Sequence, residues 1–404
     1  MLKRFSVKNF ASCADVTVDL NRPVTALIGK NGVGKTNLLR AIEFFARTIT
    51  SRQSVSLSRL FTVRPVDQEF VAEFEISGYA YIYRLLIRIQ ALFGRSELPS
   101  VEETLQILDP SEASGVRTVF RREGPAVTLG LANADTTLAI NAMVPALPAM
   151  ISLLPSDWEI ISMHLLPVNN FFLSFQYYTL EEKSDPVVSE IVLESQYQAQ
   201  RQKFLATGEH GNSVGFKLIY LNETRQDLLA EFTDILGPKG LGLVQFAGVI
   251  KQTAQQPSVA TSSEPPRVFY LIHFFPLQGM AGSGQAFAYA NLSAGTRRVI
   301  RAVLALVFDL KSLMLVEQPE DSIHSSLLEK LLDVFRSYSG RTQFVFSTHS
   351  SMALNIVAPE DILLLTADEG ITQVRALAAA EVSAAKVFME NEGSLSDYLE
   401  TFQN

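Results

Sequence analysis

The chain has 404 residues, 47% of them apolar and 19% charged, with a net charge of −8. That mixture excludes disorder of the whole chain and can bury one large core or two moderate ones, while the acidic balance excludes a coat of basic surface, so any contact with nucleic acid has to come from a local patch. One cysteine, Cys13, rules out an internal disulfide framework, and five scattered histidines make a zinc cluster a poor reading.

The opening residues, MLKRFSVKNF, carry charge with no apolar run behind them, unlike a signal peptide. Phe5 and Val7, then Val16, Val18 and Leu20, alternate as strands do, and the apolar run 24–28 ends at a glycine-rich turn. Residues 37–46 are apolar at helical spacing, so the local order is strand, loop, helix. Alternation returns over 69–90, with Phe70, Phe74, Ile76, Tyr81 and Tyr83 and a turn near Gly78; the tyrosines at 79, 81 and 83 fit one face of a buried sheet better than a platform for stacked bases. The most apolar stretch, 142–154, is interrupted by Pro145 and Pro148 and is too short to span a bilayer, so a cytoplasmic location with no membrane partner is expected.

From 97 to 277 the character changes, with helical segments over 187–205 and 217–236, and a loop at 251–266 rich in Gln, Ser, Thr and Pro that is expected to be mobile. This span reads as an inserted, mainly helical arm. The last third alternates again: helix over 293–308, strand 313–316, helix 325–338, and strands at 343–347 and 362–366, the pattern of a parallel sheet faced by helices. The expected organisation is an N-terminal lobe (1–96), the arm (97–277), a C-terminal lobe (278–381) sharing a sheet with the first, and a tail (382–404) whose Leu395, Tyr398 and Leu399 form a candidate docking helix.

The glycine-rich turn is the most specific signal. Gly29, Lys30, Asn31, Gly32, Val33, Gly34, Lys35 and Thr36 match a glycine, four residues, then Gly-Lys-Ser/Thr, set between a strand and a helix. Three glycines let backbone amides curl around a phosphate, the helix start through Asn37 favours the anion, Lys35 bridges phosphates and Thr36 ligates magnesium. Downstream, Ser293 and Gly295 open a helix; alone this is a cap motif. It is followed by an apolar strand ending in Glu317, Gln318, Pro319 and Glu320, and by a second ending in His349.

Four motifs in this order resemble the head domains of the ABC/SMC ATPase superfamily, and more narrowly the small OLD-like AAA ATPases of bacterial anti-phage systems such as PARIS and Septu. The resemblance is carried by 1–46 and 291–365. It implies an α/β ABC-type P-loop head with a mixed or parallel central sheet and an inserted arm, using ATP and Mg2+. It implies that Ser293 and Gly295 reach the γ-phosphate held by a second copy, that Glu317 holds the magnesium shell, that His349 contacts the γ-phosphate or attacking water, and that Asp321 lies where such heads cross their interface. Gln68 is a candidate for the glutamine that links magnesium to the arm, or a plain surface residue; His324 resembles a Leu-His-Pro element or simply enters a helix.

Gln318 departs from the family, which places a glutamate there as general base; an amide holds water but cannot take its proton. Either the natural protein turns over slowly as an ATP-dependent clamp, or the sequence carries a deliberate Glu-to-Gln change that traps the ATP-bound dimer. Glu320 is a substitute base. The function implied is an ATPase whose head-to-tail, ATP-sandwiched dimers build a homo-oligomer that controls a separate effector, a nuclease or toxin, since the stretch after the last strand leaves no room for a TOPRIM nuclease. DNA or a phage protein is a further candidate partner. A RecF-like DNA repair clamp and an ATP-locked scaffold are the alternatives.

Overall fold

The computed structural model describes residues 1–52, 66–88, 100–112, 114–130, 136–179, 191–207, 213–254, 267–275, 277 and 286–400. These divide into two compact units: Met1–Thr179 with Lys311–Pro319 and Ser339–Asn404, and Leu180–Leu310 with Glu320–Tyr338.

Strands are numbered along the chain. The first ten are β1 (Leu2–Phe10), β2 (Cys13–Asp19), β3 (Val24–Ile28), β4 (Gln68–Ile76), β5 (Tyr79–Arg88), β6 (Ser100–Leu108), β7 (Val116–Glu123), β8 (Ala126–Leu129), β9 (Thr136–Ala139) and β10 (Phe175–Tyr178). The rest are β11 (Ile191–Leu193), β12 (Phe246–Ala254), β13 (Arg267–Phe275), β14 (Phe287–Ala288), β15 (Leu313–Glu317), β16 (Gln343–Thr348), β17 (Ile362–Asp368) and β18 (Ile371–Ala376).

In the first unit the described strands form two sheets. An antiparallel one runs β2-β1-β4-β5-β6-β7-β8-β9, and a mixed one runs β10-β15-β16-β3-β17-β18. The alternation at the start of the chain becomes register: Phe5 lies opposite Val18 and Val7 opposite Val16, all buried. Strand β3 sits between β16 and β17, parallel to both, so the two ends of the chain share one sheet. β15 and β16 are buried on both faces, which is why they read as unbroken apolar runs.

The helix Lys35–Thr50 buries Leu38, Leu39, Ile42, Phe45 and Ile49 in a core shared with both sheets. Phe45 is central there, its ring 5.8 Å from that of Phe5, 5.7 Å from Tyr83 and 5.4 Å from Phe172, spacings at which edge-to-face contacts add to area burial. Tyr81 and Tyr83 are fully buried on the core face, as their alternation indicates. Burial pushes the Cys13 thiol up to about 11, so it stays protonated.

The span 97–277 differs from the uniform helical arm read from sequence. β6 to β9 extend the antiparallel sheet, because Val101, Glu103, Leu105 and Ile107 face the core at period two, and the unit holding the glycine-rich loop continues to Thr179, past the expected boundary at 96. Helices do occupy Ala146–Leu153 and Leu166–Leu173. No described helix is long and apolar enough to cross a membrane.

Glu103 forms a buried ion pair with Arg122, both side chains at zero exposure. Arg122 donates to Glu103 at 2.9 Å and to the carbonyls of Val144, Asn141 and Gly124. Glu103 also accepts from Tyr83 at 2.5 Å and from the Ala146 amide at 2.9 Å, which ties the start of the Ala146–Leu153 helix to the sheet. Removing one partner leaves a buried charge unpaired. Arg122→Leu is therefore expected to cost about 3–5 kcal/mol, measured as a lower guanidinium midpoint; an unchanged midpoint would show the pair to be dispensable.

In the second unit β11, β13 and β12 form a sheet, with β14 pairing β13. Residues 217–236 form two helices, Val214–Thr224 and Gln226–Leu236, instead of the single expected one. The break falls at Arg225, whose φ of −142° and ψ of 64° are not helical and whose guanidinium holds Asp227 in the first turn of the second helix. The helix expected over 187–205 begins only at Glu194, after the short strand β11, and 187–190 lie outside the described residues. Of the expected loop at 251–266, residues 251–254 belong to β12 and the remainder lies outside the described residues. Lys217 and Asp309 make a second buried ion pair, at 2.9 Å.

Candidate nucleotide-binding site

The glycine-rich loop leaves the carboxyl end of β3 in the middle of the parallel strands, the edge at which open α/β sheets bind ligands. Each outer glycine has a steric reason. A Cβ at Gly29 would lie 2.3 Å from the Leu365 carbonyl oxygen; at Gly34, where φ is +100°, it would lie 1.9 Å from Thr372 Oγ1 and 2.6 Å from Ser12 Oγ. Thr372 in turn bonds Ser12 at 2.6 Å and donates to the Val33 carbonyl at 2.9 Å, and Asn37 donates to Ser12 at 2.8 Å. The loop is thus clamped from outside by the β1–β2 turn and β18, neither of which its own sequence reveals.

Lys35 is buried and curls back, Nζ donating to the carbonyls of Gly29 at 2.6 Å and Lys30 at 3.0 Å. Those carbonyls occupy the ammonium donors that phosphate oxygens would take. Thr36 Oγ1 donates to Glu317, which stands at the end of β15. A hydroxyl and a carboxylate converging beside a phosphate loop form a hard oxygen set of the kind magnesium selects, so these residues fit Mg2+: Thr36 as ligand, Glu317 holding the shell. Among the described residues no group of three or more His, Cys, Asp or Glu is placed to hold a metal.

Tyr177, which sequence reasoning passed over, completes this corner. It lies on β10, parallel to and paired with β15, and its hydroxyl donates to the second oxygen of Glu317. Burial, with the Glu317 carboxylate adding to it, pushes this phenol above its usual range, so it remains a donor at any physiological pH. The four-residue strand FQYY is too short to show periodicity. Gln68, a candidate for either a metal link or a surface residue, is the buried first residue of β4 in the antiparallel sheet, which removes the surface reading.

Gln318 follows Glu317 with φ of +44°, an uncommon conformation for a residue with a side chain. Its amide hydrogen bonds the Ser347 carbonyl at 3.1 Å, pinning the backbone to β16. Its side-chain Nε2 lies 3.0 Å from His349 Nδ1. An amide nitrogen only donates, so Nδ1 accepts and the ring proton sits on Nε2.

In the second unit Ser293 caps the helix Ala294–Leu304, accepting from the Thr296 amide at 3.1 Å. Ser293 and Ala294 are exposed, and Gly295 is buried because a Cβ there would meet the Ser322 carbonyl oxygen at 2.2 Å. Arg298 holds the same neighbouring turn, donating to the Asp321 carbonyl and standing 3.6 Å from its carboxylate. His324 bonds Ser326 at 3.1 Å, which fits a helix-entry role.

The tail differs from the expected docking helix. Leu395 and Leu399 are buried, and the Tyr398 hydroxyl donates to the Glu381 carbonyl at 3.2 Å. Their apolar faces are used within the chain, and Leu399 lines a cavity of about 500 Å³ together with Gly29, Lys30 and Arg375. Deletion beyond Val382 would therefore strip core residues, so it tests folding before it tests docking.

Sheet order, P-loop position and the strand-end residues Glu317 and His349 give the fold of an ABC/SMC-type P-loop head. Comparison with known proteins agrees: residues 1–114 match the family model "AAA ATPase domain" and residues 256–355 one described as "AAA domain, putative AbiEii toxin, Type IV TA system". The fold is similar to that of an SMC head crystallised with the C-winged helix domain of ScpA, with TM-score 0.50 and 12% identity over 94% of this chain and 99% of the other. An OLD nuclease of Thermus scotoductus is 54% identical over 43 residues, 11% of this chain and 8% of that protein. The DNA replication and repair protein RecF of an Arthrobacter species is 38% identical over 87 residues, 19% and 22% of the two chains. The chain thus spans less than a quarter of the length of these curated relatives. It is similar in fold to an SMC head and, over short stretches, in sequence to ATPase-domain families, an OLD nuclease and RecF.

Proposed function

We propose that the chain binds Mg-ATP at 29–37 and pairs head to tail with a second copy, Ser293 and Gly295 of each capping the γ-phosphate held by Lys35 of the other. In this reading Lys35 and the loop amides bind the phosphates, Thr36 and Glu317 position the metal, and His349 Nε2–H faces the γ-phosphate. Gln318 holds the attacking water without accepting its proton, so turnover is slow and the paired state is long-lived. Paired heads then set the state of a separate effector, a nuclease or toxin, in anti-phage defence; the similarity to an OLD nuclease and to a family described by a toxin system supports that role.

The observation that carries the reading is the exposed start of the Ala294–Leu304 helix. Its first-turn amides and dipole offer an anion site, and Gly295 is kept side-chain-free by its own unit. The test is Ser293→Arg. This change is expected to leave ATP binding by the monomer within about twofold while abolishing the ATP-dependent dimer seen by analytical ultracentrifugation. Equal dimerisation of parent and variant would remove the trans-capping role.

The similarity to RecF keeps a DNA clamp as the second reading. On the outer face of the antiparallel sheet Arg84, Arg88 and Lys8 face Glu69, Glu102 and Asp67 at 2.6–3.5 Å, so that surface neutralises itself. Duplex binding that needs ATP and weakens steeply with salt would favour the clamp.

A further inference from the structure

We infer that Tyr177 is a positioning residue for the metal site, acting through Glu317. The inference rests on the Mg-ATP reading above and deepens it.

Glu317 has two carboxylate oxygens with different tasks. One accepts from Thr36, the residue that would ligate magnesium; the other accepts from Tyr177. A magnesium ion beside Thr36 would take a lone pair of the hydroxyl and leave its proton for Glu317, so the carboxylate would be held at one oxygen by Thr36 and at the other by Tyr177, the donor that keeps it from rotating away. Carboxylates that serve a metal are commonly held by such an outer partner, whose loss weakens metal binding about 10- to 100-fold.

The phenol is well suited to this. Its ring is carried by β10, which is paired to β15 along its whole length, Tyr177 opposite Leu315 and Tyr178 opposite Val316, so donor and acceptor ride on hydrogen-bonded neighbours in one sheet. Thr36, Glu317 and Tyr177 form one chain of donors and acceptors linking the helix that follows the P-loop to β15 and β10.

The test is Tyr177→Phe, which keeps the ring and removes the donor. ATP affinity is measured by calorimetry in EDTA and again across a Mg2+ titration, with the thermal midpoint of the nucleotide-free protein as a check on folding. The expected result is unchanged ATP affinity in EDTA and a Mg2+ requirement raised about 10-fold; a merely structural role would move both affinities together. Tyr177→Met, which also removes the donor, is the second variant should Tyr177→Phe not fold, and is expected to raise the Mg2+ requirement by a similar factor. If the parent binds ATP more tightly with Mg2+ and the variants have the parent's Mg2+ requirement, the role of Tyr177 is overturned while the ATP site stands. If the parent shows no Mg2+-dependent ATP binding at all, the Mg-ATP reading falls and takes this one with it.

Discussion

Gln318→Glu is expected to raise the rate of phosphate release about 100- to 1000-fold, because a positioned general base contributes on that scale. The site around residue 318 is otherwise ready. Its backbone is held by Ser347, its side chain already reaches His349 at 3.0 Å, and Glu317 is a separate group engaged with Thr36 and Tyr177. The substitution also reverses one hydrogen bond. A carboxylate accepts where the amide donated, so the His349 proton moves to Nδ1 and Nε2 becomes the acceptor. Nitrogen-15 chemical shifts of the imidazole should report that exchange of tautomers alongside the rate. If neither this variant nor the parent releases phosphate, the chain is an ATP-locked scaffold.

Gly34→Ala is expected to lower ATP affinity at least 100-fold, whereas Gly32→Ala should lower it about tenfold. Both glycines have positive φ, +100° and +83°, and a left-handed conformation costs a residue with a side chain roughly 1–2 kcal/mol. They differ in what surrounds them. No atom lies within 4 Å of a Cβ built on Gly32, while one on Gly34 collides with both Thr372 and Ser12. Those two residues clamp the loop, so the Gly34 variant must push β18 or the β1–β2 turn aside before its amides can converge on a phosphate. Calorimetric ATP titrations of the two variants settle the contrast; equal losses would mean that backbone strain alone matters and that the clamp contributes nothing.

What could be read from the sequence were the groups whose chemistry is local. The P-loop is eight consecutive residues with a strand before and a helix after, so its pattern is visible without any partner distant in sequence. Glu317 and His349 were legible because buried parallel strands are unbroken apolar runs, and a polar residue at the end of such a run stands out. Tyr177 was not legible: it meets a carboxylate 140 positions away, from a strand of four residues. Nor was the clamp on Gly34, since Ser12 and Thr372 come together from positions 360 residues apart. The extension β6 to β9 was read as part of an arm because composition over a long span outweighed the two-residue period within it. The tail was read as free because three apolar side chains on a helix look alike whether they face a partner or their own core.

The place of β3 between β16 and β17 has a consequence for how this protein is made. During synthesis the phosphate loop, which ends at Thr36, precedes both strands that flank β3, the first of which begins at Gln343. Until those arrive, the loop's supporting strand has neither parallel neighbour, and an unpaired apolar strand is a site of misassembly. Nucleotide-binding competence should thus appear late in synthesis and all at once.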